Sequence, residues 1–69
     1  MKFKVWVLAY GERTYATNGL SFDTIQEAVN YGNDLLSRWF GADKFSVLQD
    51  HPQFTGFLTP DIIQEQKVG

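Results

Sequence analysis

The sequence predicts a small α+β domain of ββαβ order, with one helix on one face of a three-stranded antiparallel sheet and an apolar C-terminal tail. Three observations predict this class. The 69 residues leave room for a single core, and 43% of them are hydrophobic. An alternating apolar segment opens the chain at Lys2–Tyr10, and a long amphipathic segment follows at Thr24–Phe40. We expect one domain over residues 1–69, with its core in residues 2–50 and the tail in residues 51–69.

The first strand has two usable faces, because successive side chains of a strand point to opposite sides of the sheet. Gly11 then stands where a two-residue type II′ turn over Tyr10–Arg13 needs a positive φ, and Thr14–Thr17 carries strand-favouring residues, so we expect a hairpin. One face of the first strand holds Phe3, Val5, Val7 and Ala9, and the other holds Lys2, Lys4, Trp6, Leu8 and Tyr10.

The amphipathic segment predicts a long helix. Thr24 and Glu27 fit a capping box, and Asp23 is an equally good cap if the helix begins one residue earlier. Gly32 lies inside the apolar stripe, where we expect it to let the helix approach a large residue opposite, and Gly41 suits a left-handed C-terminal cap. The stripe that should face the sheet comprises Ile25, Ala28, Val29, Gly32, Leu35, Leu36 and Trp39.

A third strand is expected at Phe45–Gln49, ended by His51 and Pro52, since proline cannot continue a strand ladder. A right-handed crossover through the helix then gives the strand order 2-1-3, with every neighbouring pair antiparallel and the first strand central. Thr59 followed by Pro60 resembles a helix start, so we expect a short helical turn in the tail. The other apolar residues of the tail are Phe54, Phe57, Leu58, Ile62 and Ile63.

The second face of this sheet carries Trp6, Leu8 and Tyr10, which one helix on the opposite face cannot cover. Either the chain's own tail, or a partner protein or a second copy of the chain, must cover them. Lys2, Lys4 and Trp6 allow a third interpretation, because cations and aromatic rings on a strand face can stack the bases of single-stranded nucleic acid. The net charge of −2 disfavours nucleic acid.

Tyr31, Asp34 and Arg38 lie on one flank of the predicted helix, at positions i, i+3 and i+7. Such a cluster can hold an anion or a partner's carboxylate through the guanidinium group of Arg38. The alternative is an exposed ion pair between Asp34 and Arg38, with Tyr31 at the border of the core.

The segment Asn18–Trp39 resembles a family of short bacterial, cyanobacterial and phage proteins without known activity. Their pattern is NGLxFxTxxEAxxYxxDLxxRW, and it matches this chain from Asn18-Gly19-Leu20 through Glu27-Ala28 to Arg38-Trp39. The resemblance implies the strand, strand, helix, strand order and implies no activity. The chain departs from the pattern after the helix, in Phe40–Ala42, and in a longer and more apolar segment after Pro52.

Several function classes find no support in the composition. The sequence contains no cysteine and one histidine, so disulfides and thiolate sites are excluded, and a zinc site would need carboxylates, which suit zinc poorly. His51 and Asp50 are neighbours on an extended segment, where their side chains point to opposite sides, so they do not form a base and its orienter. We therefore expect no catalytic residue, no metal and no cofactor. No apolar run reaches the roughly 20 residues of a membrane span, and we expect a cytoplasmic protein.

These observations together predict a non-catalytic protein-interaction module, an accessory or regulatory protein whose partner is another protein or a second copy of the chain. It would act through the second sheet face or a sheet edge, because the aromatic content of 16% exceeds what one helix covers. Single-stranded nucleic-acid binding is the alternative function. The candidate interaction residues are Trp6, Leu8, Tyr10, Lys4, Tyr31, Asp34 and Arg38.

Overall fold

The computed structural model describes residues 2–51, 54 and 56–66, and these residues form three strands and two helices. The elements are β1 (Phe3–Ala9), β2 (Ser21–Phe22), α1 (Ile25–Arg38), β3 (Ala42–Gln49) and α2 (Pro60–Gln66). The sheet has the order β2-β1-β3, with both neighbouring pairs antiparallel. The predicted α+β class and the strand order 2-1-3 are confirmed. Pro52, which the sequence predicts as a strand terminator, lies outside the described residues.

β1 is the central strand, because its alternating apolar side chains supply both faces of the sheet. It pairs with β3 over nearly the whole length of both strands, with Val5 opposite Val47. The register shifts between Leu8 and Ala9, which marks a β-bulge at that end of the pair. The β1–β3 pair is the base on which the other elements pack.

The second strand differs from the prediction. Of the predicted strand Thr14–Thr17, only Ala16 pairs with β1. It exchanges two backbone hydrogen bonds with Val7 (N–O distances of 2.8 and 2.9 Å). The regular ladder with β1 forms later, at β2. Ala16 and Ser21 are five positions apart, whereas their partners Val7 and Lys4 are three apart. The edge segment is therefore two residues too long for one continuous ladder. A loop containing Gly19, with a φ of 88°, takes up the excess.

The turn after β1 also differs from the prediction. The N–H of Glu12 donates to the carbonyl oxygen of Ala9 at 3.1 Å, so the turn begins one residue early. Gly11 has the predicted positive φ, 82°, but it is the third residue of the turn, and Tyr10 before it has no positive φ. This is the geometry of a type II turn, which splays the flanking strands. The chain accordingly leaves β1 and returns to it only at Ala16.

α1 begins at the predicted cap and ends differently. The Thr24 hydroxyl accepts the N–H of Glu27 and donates to its carboxylate, both at 3.1 Å, which confirms Thr24 rather than Asp23 as the cap. The predicted left-handed cap is wrong: the helix ends at Arg38, the capping residue Trp39 has an extended backbone (φ −113°), and Gly41 has no positive φ. Gly41 instead allows close approach, because a Cβ there would lie 2.8 Å from Nε1 of the Trp39 indole.

The core on the helix side lies between α1 and the β1–β3 pair. Gly32 packs against the ring of Phe45 so closely that a Cβ on it would lie 2.7 Å from Cζ and nearer still to two other ring atoms. The predicted close approach at this glycine is confirmed. The buried residues of this core are Phe3, Val5, Ala28 and Val47, and Val7, Phe22, Val29, Tyr31 and Phe45 pack against them.

The second face of the sheet is covered by the C-terminal segment. Leu58 exchanges two backbone hydrogen bonds with Tyr15 at the sheet edge (2.7 and 2.9 Å), and α2 then packs against β3. Trp6, which is 1% exposed, lies in the resulting core. Among the three ways of covering this face, the structure uses the chain itself. The buried residues of this second core are Trp6, Tyr15, Leu48, Leu58 and Ile63.

Candidate functional site

The three second-face residues proposed for interaction lie in different environments. Trp6 is 1% exposed, and the partly buried Leu8 packs against the same core. Tyr10 is largely exposed, at 67%, and its N–H donates to the carbonyl oxygen of Gly41 at 2.8 Å. Trp6 and Leu8 therefore stabilise the fold, and only Tyr10 is available to a partner.

The two lysines near the start of β1 both form ion pairs. Lys4 Nζ lies 3.3 Å from Asp50 Oδ1, and Lys2 pairs with Asp23. The hydrogen bond from Lys2, and its charge, hold the pKa of Asp23 below its ordinary value of 3.8, and the same contact raises the pKa of Lys2 above 10.5. Both cations are paired and Trp6 is buried, so Tyr10 is the one exposed ring among the described residues proposed for this face, and it has no unpaired lysine of that set beside it.

The helix-flank residues do not converge on one site. Arg38 Nη2 lies 2.6 Å from Asp34 Oδ2, and both side chains are more than half exposed. The Tyr31 hydroxyl accepts a hydrogen bond from the Asn18 side chain, and its ring lies 5.2 Å from that of Phe22. The structure thus contains the exposed Asp34–Arg38 ion pair, with Tyr31 turned towards the core.

A cleft of about 540 Å³ lies on the helix side of the sheet, and sequence reasoning missed it. Its volume is within the range of roughly 300–1,000 Å³ that binding sites for small ligands occupy. Val5, Val7 and Ala9 of β1 form the floor, and Tyr31, Leu35 and Trp39 form the wall on the α1 side. Glu12, Thr14, Ala16, Thr17, Asn18 and Phe57 complete the lining.

The cleft exists because one helix is too narrow for this sheet. A helix with its side chains is about 10 Å wide, whereas four neighbouring extended segments about 4.8 Å apart span about 14 Å between the outer two. The described segments lie in the order β3, β1, the bridge at Ala16 and the bridge at Leu58. α1 packs on β1, β3 and β2 and leaves the part of the sheet around Ala16 uncovered.

Two aromatic residues of the cleft correct sequence predictions. Trp39 is predicted in the buried stripe but is 46% exposed, because the helix has ended and the extended backbone there changes the direction of its side chain. Phe57, one of the apolar tail residues, is 71% exposed. Neighbouring residues of an extended segment point to opposite sides, so Leu58 enters the second core while Phe57 reaches the cleft. The only sequence signal for this wall is the i, i+4, i+8 spacing of Tyr31, Leu35 and Trp39.

Other features of the described residues carry less chemistry. A smaller hollow of about 200 Å³ lies beside Asp50 and His51, and the His51 ring is 5.3 Å from that of Phe54. Over residues 2–51, 54 and 56–66, no three acidic or histidine side chains come together as a metal site. Neither α1 nor α2 has the length and apolar character needed to span a bilayer.

Comparison of the chain with protein-family models, with curated proteins and with solved structures finds no match. The resemblance of Asn18–Trp39 to short bacterial and phage proteins stays a prediction. The functional interpretation therefore depends on the geometry of the cleft and on the aromatic residues around it.

Proposed function

We propose that this protein is a non-catalytic interaction module whose helix-side cleft binds an apolar segment of a partner protein. The observation that carries the proposal is the cleft itself, with an apolar floor in the sheet and two aromatic walls, Trp39 and Phe57, that stay exposed. Exposed apolar surface concentrated around a concavity is typical of interaction sites in soluble proteins. Such a module would act as a cytoplasmic accessory or regulatory protein.

The exposed aromatic surface extends beyond the cleft, which favours a protein segment over a small ligand. Tyr10 and Phe40 do not line the cleft, yet they are 67% and 96% exposed and neighbour its lining residues in sequence. Burying one aromatic side chain removes about 150–250 Å² from water, and such residues dominate the binding energy of many interfaces. A partner segment that fills the cleft can bury Trp39 and Phe57 together.

The polar residues of the cleft suit a peptide backbone. Thr14, Thr17 and Asn18 are the uncharged polar residues of the lining apart from Tyr31. The Asn18 side chain already donates to Tyr31, whereas the hydroxyl groups of Thr14 and Thr17 can donate to a bound backbone. Among the described residues that line the cleft, Glu12 alone is charged. A few polar groups beside an apolar floor can fix the orientation of a bound segment. The ion pairs of Lys2 and Lys4 and the burial of Trp6 favour this proposal over nucleic-acid binding.

Variants of the two aromatic walls test this proposal against a matched control. Trp39→Ser and Phe57→Ser remove cleft walls, whereas Phe40→Ser removes a neighbouring and more exposed ring that does not line the cleft. The immobilised variants are compared for the protein that each retains from a lysate of the cells that produce the chain. We expect Trp39→Ser and Phe57→Ser each to reduce retention of a specific partner by about tenfold or more, and Phe40→Ser to leave it nearly unchanged.

Far-UV circular dichroism checks that all three variants remain folded, as expected for exposed positions. An equal loss of retained partner in all three variants would show that non-specific adsorption to exposed aromatic rings causes the retention. Retention that neither cleft variant changes would place the interface elsewhere and refute the proposal.

A further inference from the structure

We infer that the outer edge of β3 pairs with the same edge of a second copy of the chain, as an antiparallel strand pair centred on Val47. Within the described part of the chain, β1 is the only strand neighbour of β3. Unpaired edges of this kind are templates for pairing with another strand. This inference is independent of the proposed cleft function, because β3 and the bridge at Ala16 lie on opposite sides of β1.

The hydrogen-bond pattern identifies the backbone groups that point outwards. The Asp50 N–H donates to the carbonyl oxygen of Lys2 at 2.7 Å, so the backbone of Asp50 faces β1. Residues alternate in an antiparallel strand, so every second residue before Asp50 also faces β1. The outward groups are therefore those of Phe45, Val47 and Gln49, and no described residue hydrogen-bonds to them.

The regular part of β3 fixes the centre of the pairing. The register shift leaves Asp43 without a partner, because Ala42 lies opposite Ala9 and Lys44 lies opposite Leu8. Pro52, which has no N–H to donate, follows soon after the strand. The run that can pair without interruption is residues 44–50, and its midpoint is Val47. The backbone N–H and C=O of Val47 also point away from β1. A two-fold axis at Val47 therefore places it opposite Val47 of the second copy, and Phe45 opposite Gln49, so that these backbone groups can bond to one another.

Charge complementarity supports the same register. In a pair centred on Val47, Lys44 lies opposite Asp50 of the second copy, and the symmetry produces this contact twice. Lys44 is exposed and forms no ion pair with a described residue. Asp50 contacts Lys4 through Oδ1 only, and its side chain is 36% exposed, so the other oxygen can accept from Lys44 of the second copy. Shifting the register by two residues in one direction would put Lys44 opposite Leu48, and no ion pair would form.

Charge reversal with a matched control tests the inference. Lys44→Glu places like charges opposite one another at both ends of the pair, whereas Arg13→Glu makes the same charge change at an exposed position away from β3. Sedimentation equilibrium over about 10 µM to 1 mM measures the dimer dissociation constant. We expect the unmodified chain and Arg13→Glu to dimerise in this range, and Lys44→Glu to weaken the dimer about tenfold. Lys44→Glu/Asp50→Lys restores opposite charges across the pair. Because Asp50→Lys also removes the ion pair with Lys4, the double variant is compared with Asp50→Lys alone and should form the tighter dimer.

Amide hydrogen exchange tests the register directly. We expect the amides of Phe45, Val47 and Gln49 to exchange more slowly as the protein concentration rises, because only the dimer gives them a partner. A chain that stays monomeric up to about 1 mM overturns the inference. So does a dimer that Lys44→Glu and Arg13→Glu weaken equally, or a dimer whose three outward amides show no concentration-dependent protection. None of these results bears on the cleft, whose variants are tested separately.

Discussion

Leu58→Ala is expected to destabilise the domain by about 2–5 kcal/mol, the range for removing a buried leucine side chain. Leu58 is 3% exposed and lies in the core that holds Trp6 and Ile63. A single core in a chain of this size rarely supplies more than about 3–5 kcal/mol of net stability. We therefore expect a large unfolded fraction of this variant at room temperature. Urea denaturation followed by far-UV circular dichroism measures the change.

Phe57→Ala is the matched control, because it removes a larger apolar side chain from the adjacent position. Phe57 is 71% exposed and reaches the cleft instead of the second core, so its loss should change the free energy of unfolding by about 0.5 kcal/mol or less. If the two variants were equally stable, the C-terminal segment would not be part of the core, and the described packing of Leu58 would be wrong.

Gly32→Ala is expected to destabilise the domain even though alanine is the better helix former. The added methyl group would overlap the Phe45 ring, with 2.7 Å to Cζ and less to two other ring atoms. Overpacking a core costs about 1–3 kcal/mol, whereas replacing glycine by alanine in a helix gains about 1 kcal/mol. Subtracting the gain from the cost leaves a net loss of up to about 2 kcal/mol, measured as a lower urea midpoint.

A double-mutant cycle with Phe45→Leu separates the clash from other effects. In the Phe45→Leu background the ring is absent, so adding Gly32→Ala should cost much less or become stabilising. Asn33→Ala, at the next and exposed position of α1, should not destabilise, because it changes helix propensity without touching the core. A destabilisation by Gly32→Ala that is unchanged without the ring would contradict the packing described for Phe45.

The parts of the fold that local patterns determine could be predicted from the sequence. Alternation in β1 and the apolar stripe of α1 reflect periods of two and about 3.6 residues, which burial on one face imposes. The Thr24 cap and the close approach at Gly32 are also local, since each depends on one residue type in a regular element. These features give the strand order as well, because few connections are compatible with them.

The parts that depend on long-range pairing could not be predicted. The bridge between Tyr15 and Leu58 joins segments far apart in the sequence, and it decides which tail residues are buried and which reach the cleft. For the same reason, the sequence shows which residues are apolar but does not predict which part of the sheet α1 leaves uncovered. Of the residues proposed for interaction, only Tyr31 lines the cleft. The sequence predicts Trp39 in the buried stripe of the helix and identifies Phe57 only as an apolar residue of the tail.

The C-terminal segment covers the second sheet face, so the part of the sheet that stays uncovered is the floor of the helix-side cleft. Acrylamide quenching of Trp6 fluorescence in the Trp39→Phe variant tests this claim most directly, because Trp6 is then the sole indole. Trp6 is 1% exposed, so we predict blue-shifted emission that acrylamide quenches only after urea unfolds the protein. The reciprocal variant, Trp6→Phe, should show Trp39 quenched in the folded state, since that side chain is 46% exposed. Efficient quenching of Trp6 in the folded protein would mean that the C-terminal segment does not cover the second face.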